Sequence, residues 1–286
     1  MNIIGKPNVG KSTLMNAFLG EKLSIITPKA QTTRHRILGI ANGEDYQMIF
    51  SDTPGVLEPH YKLQQQMMGY VKSSMEDADV FILLTEVQDD FDDIHLIEKM
   101  KASDAPVIVL INKIDLSNQQ EVALKCEQWQ RGFPDWRILP ISALTGFNLQ
   151  QVFDKLLELL PESPPYFPKD ELSDKPLRFL VAERVREKIL LHYKKEIPYS
   201  VEVNTDTFKE EEKIIRIRCV IYVARDSQKG ILIGHKGQAL KRVGEEARKD
   251  LESFLEKKVF LELHVKVSKN WRENELQLKR FGYFDQ

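Results

Sequence analysis

The chain has very little of several things. Its 286 residues include two cysteines, Cys126 and Cys219, far apart and without metal-ligand spacing. That excludes a disulfide framework and a zinc cluster, and it reads as two reduced thiols. The six histidines are scattered, so no Ser/His/Asp or zinc-ligand arrangement is available. Long apolar runs are missing too. Runs such as Val80 to Leu84 and Val107 to Ile111 have strand length and fall far short of a bilayer span. No signal peptide is expected ahead of the first motif. Internal repeats and low-complexity tracts are absent.

Net charge is also small, −2, but it is unevenly spread. Residues 1–176 carry 17 Lys and Arg against 25 Asp and Glu, and residues 177–286 carry 24 against 18. An acidic part and a basic part suggest two domains with different partners. The basic one is the candidate for nucleic acid.

What is present begins at once. Gly5 to Ser12 read GKPNVGKS, which fits the phosphate-binding loop G-x-x-x-x-G-K-[ST]. Gly5 and Gly10 let the backbone turn and point consecutive N–H groups at a polyphosphate. Lys6, Pro7, Asn8 and Val9 fill the loop. Lys11 brings a compact positive charge to the phosphates, and the Ser12 hydroxyl suits Mg²⁺, a hard cation that prefers oxygen. From Thr13 the chain reads as a helix whose N-terminal dipole faces the same anion.

Downstream, strands and helices alternate. The reading predicts a hairpin of Arg36 to Ala41 and Tyr46 to Ser51 across Asn42-Gly43. It then predicts a helix over Leu63 to Asp77, a strand over Val80 to Thr85 and a helix over Ile94 to Ala102. A buried strand over Val107 to Ile111, a helix over Glu121 to Gln130, a strand over Arg137 to Ile141 and a helix over Asn148 to Leu160 follow. Such alternation implies an α/β fold with a mostly parallel sheet covered on both faces. Ligands of such sheets bind at the carboxyl ends of the strands.

Three polar groups stand at those ends. Asp52-Thr53-Pro54-Gly55 offers a carboxylate for Mg²⁺, usually through water, and a glycine N–H for the γ-phosphate. Asn112-Lys113-Ile114-Asp115 offers a carboxylate that can accept both N–H groups on one edge of guanine, a pair that adenine lacks. Ser142-Ala143 would direct a backbone N–H at the guanine O6. On average residue usage, chance leaves roughly one chain in a thousand with this ordered set.

The segment 161–168, PESPPYFP, is too rich in proline for helix or interior strand. It predicts a stiff linker. The expected division is a GTP-binding domain over 1–163, a linker over 164–176 and an RNA-binding domain over 177–286. The last part reads α-β-β-α-α-β: a helix from Leu177 to Tyr193, strands over Tyr199 to Val203 and Ile214 to Val223, a segment to Gly234-His235-Lys236-Gly237, a helix from Gln238 to about Glu256 and a strand over Val259 to Val267. Gly-x-x-Gly between two helices clamps backbone nucleotides in KH domains. Lys229, Lys241 and Arg242 could line the same groove or form a solvated helix face. Trp271 and Arg272 could bind RNA, but packing of the tail is the plainer expectation.

Together GKPNVGKSTLMN, AQTTRHRILGI, DTPG, NKID and SAL resemble the translation-factor-like GTPases, and among them the Era-like branch. The resemblance extends over the whole chain, because Era-like GTPases carry a C-terminal KH domain, here of type II. It implies GTP hydrolysis to GDP and phosphate, with Lys11, Thr33, Gly55 and Asn8 as catalytic candidates. It implies that Thr33, or in its place Thr32, closes on Mg²⁺ as switch I beside Ser12 and Asp52, and that Asp52 to about Leu63 is switch II. The RNA partner would be the 3′ end of small-subunit (16S) ribosomal RNA, in 30S subunit biogenesis. A cytoplasmic monomer is expected, with peripheral attachment to the membrane as a further family trait. Val56 stands where a water-positioning Gln is found in Ras-like GTPases. Val cannot orient water, so another group must supply that stabilisation. In related GTPases an Asn at the position of Asn8 helps hold K⁺ near the phosphates. Two competing readings stay open: an ATP-using phosphotransferase, and a non-catalytic RNA-binding or chaperone protein whose nucleotide domain is a scaffold.

Overall fold

The computed structural model describes residues 1–89 and 91–284. Among these, the chain forms two compact units. The first holds residues 1–24, 33–58 and 67–174, and the second 25–32, 59–66 and 175–286. The expected contiguous division is therefore modified. Two short segments of the nucleotide-binding part belong by contact to the second unit.

The first unit is built on a six-stranded sheet in the order β2-β3-β1-β4-β5-β6. The strands are β1 (Asn2–Ile4), β2 (Ile37–Asn42), β3 (Gln47–Asp52), β4 (Phe81–Glu86), β5 (Val107–Asn112) and β6 (Arg137–Pro140). All pairings are parallel except β2 with β3. That antiparallel pair is the predicted hairpin, closed by Gly43 N–H on the Tyr46 carbonyl. Five helices accompany the sheet: α1 (Lys11–Leu19), α2 (Lys62–Ser74), α3 (Ile94–Ala102), α4 (Gln119–Gly132) and α5 (Leu149–Leu159). β5 is buried at every position, as expected of a central parallel strand with both faces covered. One core packs Ile4, Leu83 and Val109 against Val71, Met100 and Trp129.

The proline-rich segment is not a free spacer. Its continuation runs along the edge of β2. Ile40 N–H donates to the Leu172 carbonyl (2.9 Å), Leu38 N–H to Asp174 Oδ1 (2.8 Å), and Ser173 bridges Gly39. Gln47 Oε1 accepts from Tyr166 and Phe167 N–H at 2.8 and 2.9 Å. The edge strand thus gains partners for groups that would otherwise stand open.

The second unit has α6 (Leu177–His192), α7 (Ile197–Ser200), β7 (Glu202–Glu210), β8 (Ile215–Val223), α8 (Asp226–Ile233), α9 (Gln238–Phe254), β9 (Val259–Val267) and α10 (Glu275–Arg280). β7 pairs antiparallel and β9 parallel with β8. The predicted α-β-β-α-α-β order is there, with one shift and two additions. Tyr199 and Ser200, expected in a strand, lie in the short α7, because Pro198 starts a helical turn. The strand begins only at Glu202 and runs on through the charged residues Lys209 and Glu210, which are exposed. α10 is capped by the Asn274 side chain on Gln277 N–H. Trp271 is fully buried, and its Nε1–H donates to the Ser200 carbonyl (3.0 Å), so tail packing is the outcome.

Candidate nucleotide and RNA sites

The phosphate loop connects β1 to α1. Gly10, at φ 102°, is the helix cap and has no side chain to bond the first helical N–H groups. Those donors are left for an anion. The loop is also tightly packed. A Cβ on Gly5 would stand 2.4 Å from the Leu84 carbonyl oxygen, and one on Gly10 2.4 Å from Asn112 Nδ2. A Cβ on Gly55 would stand 2.6 Å from Pro7 Cα. Gly55 is therefore required for the DTPG segment to reach the loop, where Val56 N–H donates to the Gly5 carbonyl (3.1 Å).

Ser12, Thr33 and Asp52 come together. Ser12 Oγ donates to Asp52 Oδ2 (2.7 Å) and lies 2.9 Å from Thr33 Oγ1, which is itself 3.5 Å from Asp52 Oδ2. Thr32 does not share this place. Its hydroxyl is bonded to Thr27 and to the Lys29 carbonyl, so the choice between the two threonines falls on Thr33. Asp52 is fully buried and its Oδ1 has no hydrogen-bond partner. An orphaned buried carboxylate oxygen beside two hydroxyls is an all-oxygen donor set that fits Mg²⁺ and its waters.

Lys11 is buried, and its ammonium donates to the Gly5 (3.0 Å) and Lys6 (2.8 Å) carbonyls. Burial pushes its pKa down to about 8, against the pull of Asp52. Burial raises the Asp52 carboxyl, while Ser12 and Lys11 hold it down in part. Each charge therefore depends on the other and on what binds between them.

The base-reading groups are braced to the loop. Asn112 Nδ2 donates to the Val9 carbonyl (2.7 Å) and its Oδ1 accepts Ala143 N–H (2.9 Å). Lys113 turns the chain at φ 60°, and its Nζ donates to the Asn8 carbonyl (2.7 Å). Asp115 follows in a 3₁₀ turn and is exposed. Two expectations change here. Ala143 N–H is engaged by Asn112, so guanine O6 would have to share it. The Thr53 hydroxyl donates to the Ile3 carbonyl (2.9 Å), so this side chain braces β1. Pro54 is buried beside it, Thr13 is half-buried on α1, and Asn8 is exposed in the left-handed region at φ 65°. Lys6 forms ion pairs with Asp89 and Asp92, both 3.1 Å. Val56 packs on the apolar core around Val71 and Phe91, which is why it is apolar.

In the second unit, α8 ends at Ile233 and the Gly234-His235-Lys236-Gly237 turn leads into α9. Gly234 has φ 71° and ψ −179°, a backbone region open only to glycine. A Cβ there would meet the Ala239 Cβ at 2.6 Å. His235 and Lys236 are exposed at the tip. A cleft of about 320 Å³ runs from Gly237 along α9 and β9, lined by Leu240, Lys241, Gly244, Arg248, Leu261 and Leu263 among others. Lys241 is among its lining residues. Arg242 is ion-paired with Glu246 on a different side of α9, and Lys229 is half-buried on α8. Gly244 and Arg248 line the cleft at helical spacing from Lys241.

The comparisons agree with this geometry. Residues 1–113 match the model of the 50S ribosome-binding GTPase family, and residues 196–272 that of the KH domain. GTPase Era of Geotalea daltonii is 44% identical, covering 99% of this chain and 96% of that protein. GTPase Era of Staphylococcus haemolyticus is 43% identical, covering 100% and 96%.

The chain belongs to the Era family of GTPases.

Two solved Era structures superpose with TM-scores of 0.94 at 42% identity, covering 99% of this chain and 97% of theirs. One is Era with MgGDPNP and nucleotides 1506–1542 of 16S ribosomal RNA. The other is a variant of Aquifex aeolicus Era bound to GDP and AlF4⁻. The lowered Lys11 pKa has a measurable consequence. A lysine lowered on folding holds fewer protons in the folded state between about pH 8 and 10.5, so Lys11 makes stability rise with pH across that window. A bound polyphosphate needs the ammonium form. Nucleotide affinity should therefore fall as pH rises above about 8, with proton uptake on binding near pH 8.5. Calorimetry in buffers of different ionisation enthalpy measures that uptake, and none at pH 8.5 would contradict the burial of Lys11.

Proposed function

We propose that this chain is a GTP hydrolase that binds small-subunit ribosomal RNA and switches that binding with its nucleotide, in 30S subunit assembly. The observation that carries the reading is the cluster of Ser12, Thr33 and Asp52 within 3.5 Å beside buried Lys11. The full-length likeness to Era, one copy of which holds both MgGDPNP and 16S RNA, supports it. A single copy carries both sites. The work is placed in the cytoplasm, where its ribosomal partner is. No described helix is long and apolar enough to cross a membrane, and the reading assigns no residue to peripheral attachment.

Residues 1–163 are read as the GTP-binding domain and 177–286 as the KH domain, joined by 164–176. The loop Gly5 to Thr13 cradles the phosphates through backbone N–H groups. Lys11 sets a positive charge against the oxygens that gain charge as the γ-phosphoryl leaves. Ser12, Thr33 and Asp52 are the residues that would hold Mg²⁺, which neutralises phosphate charge. Gly55 N–H binds the γ-phosphate, so loss of that group releases the segment after it. Thr33 is released likewise, which is the switch. Val56 faces the core, so water orientation falls to other groups.

Asp115 sets base choice. Asp115→Asn should lower GTP affinity by about 2–3 kcal/mol, the worth of a hydrogen bond to a charged group, and favour xanthine nucleotides. Competition binding with GTP, ATP and XTP reads this directly. An unchanged GTP preference in the variant would sink the assignment of Asp115, and an ATP preference in the parent would favour the ATP-using reading.

Asn8 is read as a K⁺ ligand at the phosphates. GTP turnover should be faster in K⁺ than in Na⁺, and Asn8→Ala should erase the difference. Equal rates in the two salts would exclude the ion. No turnover in either, at saturating Mg²⁺, would favour the scaffold reading.

Gly234 to Gly237 is read as the RNA clamp, with Lys229, Lys241 and Arg242 as flanking cations. Replacing His235 and Lys236 by Asp should lower affinity for an oligonucleotide of the 16S 3′ end and leave GTP binding intact. The slope of log affinity against log salt should flatten by about 0.7 for each lost phosphate contact. Parent-like RNA binding by the double variant would move the RNA site elsewhere.

A further inference from the structure

α8 ends one residue before the Gly234 turn. Like any helix end, it leaves carbonyls without a partner inside the helix. One of them, Leu232 O, accepts a hydrogen bond from the Tyr193 hydroxyl at 2.6 Å. Leu232 is fully buried and Tyr193 nearly so. The last turn of α8 is therefore held by a residue that directly follows α6. The orientation of the turn decides where His235 and Lys236 point.

The same stretch of α6 is gripped from another direction. Within the second unit, segment 25–32 lies against it. Lys29 Nζ donates to the Leu190 and Tyr193 carbonyls, at the negative end of the helix. Ile26 N–H donates to Glu187 Oε1 (3.1 Å). Arg186, two turns before Tyr193, donates to the Thr32 carbonyl and is held in place by both Glu183 oxygens at 2.6–2.7 Å. The segment is closed on itself by Thr32 Oγ1, bonded to Thr27 Oγ1 (2.6 Å) and to the Lys29 carbonyl (2.7 Å). The next residue is Thr33.

We propose that Tyr193 is a positioning residue for the Gly234 to Gly237 turn, and that α6, through Arg186, Tyr193 and Lys29, ties that turn to the segment ending at Thr33. The inference rests on the RNA reading given above and adds the route by which nucleotide and RNA act on each other. A movement of Thr33 pulls Thr32 against Arg186 and Lys29 against the end of α6. Tyr193 carries that strain to Leu232. The route consists of hydrogen bonds to one helix and to the residue that follows it. A contiguous route of this kind is a physical link only if both ends bias it, so the test reads both ends.

The experiment uses the full chain and a fluorescent oligonucleotide of the 16S 3′ end, titrated with GDP and with GDPNP. The readout is the ratio of the two RNA affinities. Tyr193→Phe removes one hydroxyl and no volume. It should weaken RNA binding about three- to tenfold, the worth of one hydrogen bond, and bring the ratio toward one. Lys29→Gln should leave RNA affinity with GDP unchanged and bring the ratio toward one. The two changes together should shift the ratio no further than one alone. A merely structural Tyr193 would lower the unfolding temperature and leave the ratio as in the parent, which overturns the proposal. So does an unchanged ratio in Lys29→Gln, or a ratio of one in the parent. A parent that binds no RNA overturns the RNA reading, and this inference with it.

Discussion

A buried carboxamide sets the geometry of the nucleotide site. Asn112 donates to the Val9 carbonyl in the phosphate loop and accepts from Ala143 N–H in the loop after β6. It is 2% exposed, so water cannot replace either bond. Without it, two buried backbone groups would lose their partners, at about 1–3 kcal/mol each. The distance between phosphate-binding and base-reading groups is thus fixed before any nucleotide arrives. Lys113 repeats the bracing on the outer side through the Asn8 carbonyl. The Asn112-Lys113 pair thus holds the phosphate loop from two sides.

The phosphate end is organised by opposite charges kept out of water. Lys11 and Asp52 are each costly to bury alone. Burial weakens both charges, and each is partly restored by the other. Close packing does the rest. Gly55 lets the DTPG segment approach Pro7 closely, so that segment is in contact with the phosphate loop.

The second unit solves a different problem, that of presenting two exposed side chains on a short turn. Gly234 at ψ −179° and Gly237 at φ 77° give the turn a path that side-chain-bearing residues rarely take. The helices on both sides are anchored by Leu232, Val243, Ala247 and Leu251, buried against the sheet of β7, β8 and β9. The tip is thus held between two packed helices while its side chains are in solvent.

The sequence by itself determined the alternation of strands and helices in the first unit and the order of the main elements in the second, and it marked the candidate phosphate, metal and base motifs. These depend on local rules: apolar runs at strand length, helical spacing, glycine where the chain must turn, and polar groups at strand ends. Asp52, Asn112 and Asp115 were legible because each lies at a fixed offset from such a run. Tertiary structure alone decided the rest. Thr33 and Thr32 both stayed open in the sequence, and what separates them is the contact of Thr33 with Ser12 and Asp52 and the bonds of Thr32 to Thr27 and Lys29. The docking of 166–174 on the edge of β2 needed the sheet to exist, since proline content reports stiffness and not a destination. Tyr193 carries no motif, because what singles it out is a hydroxyl 2.6 Å from a carbonyl 39 positions away in the chain. Local pattern specifies what a residue can do, and only the folded backbone specifies what it meets.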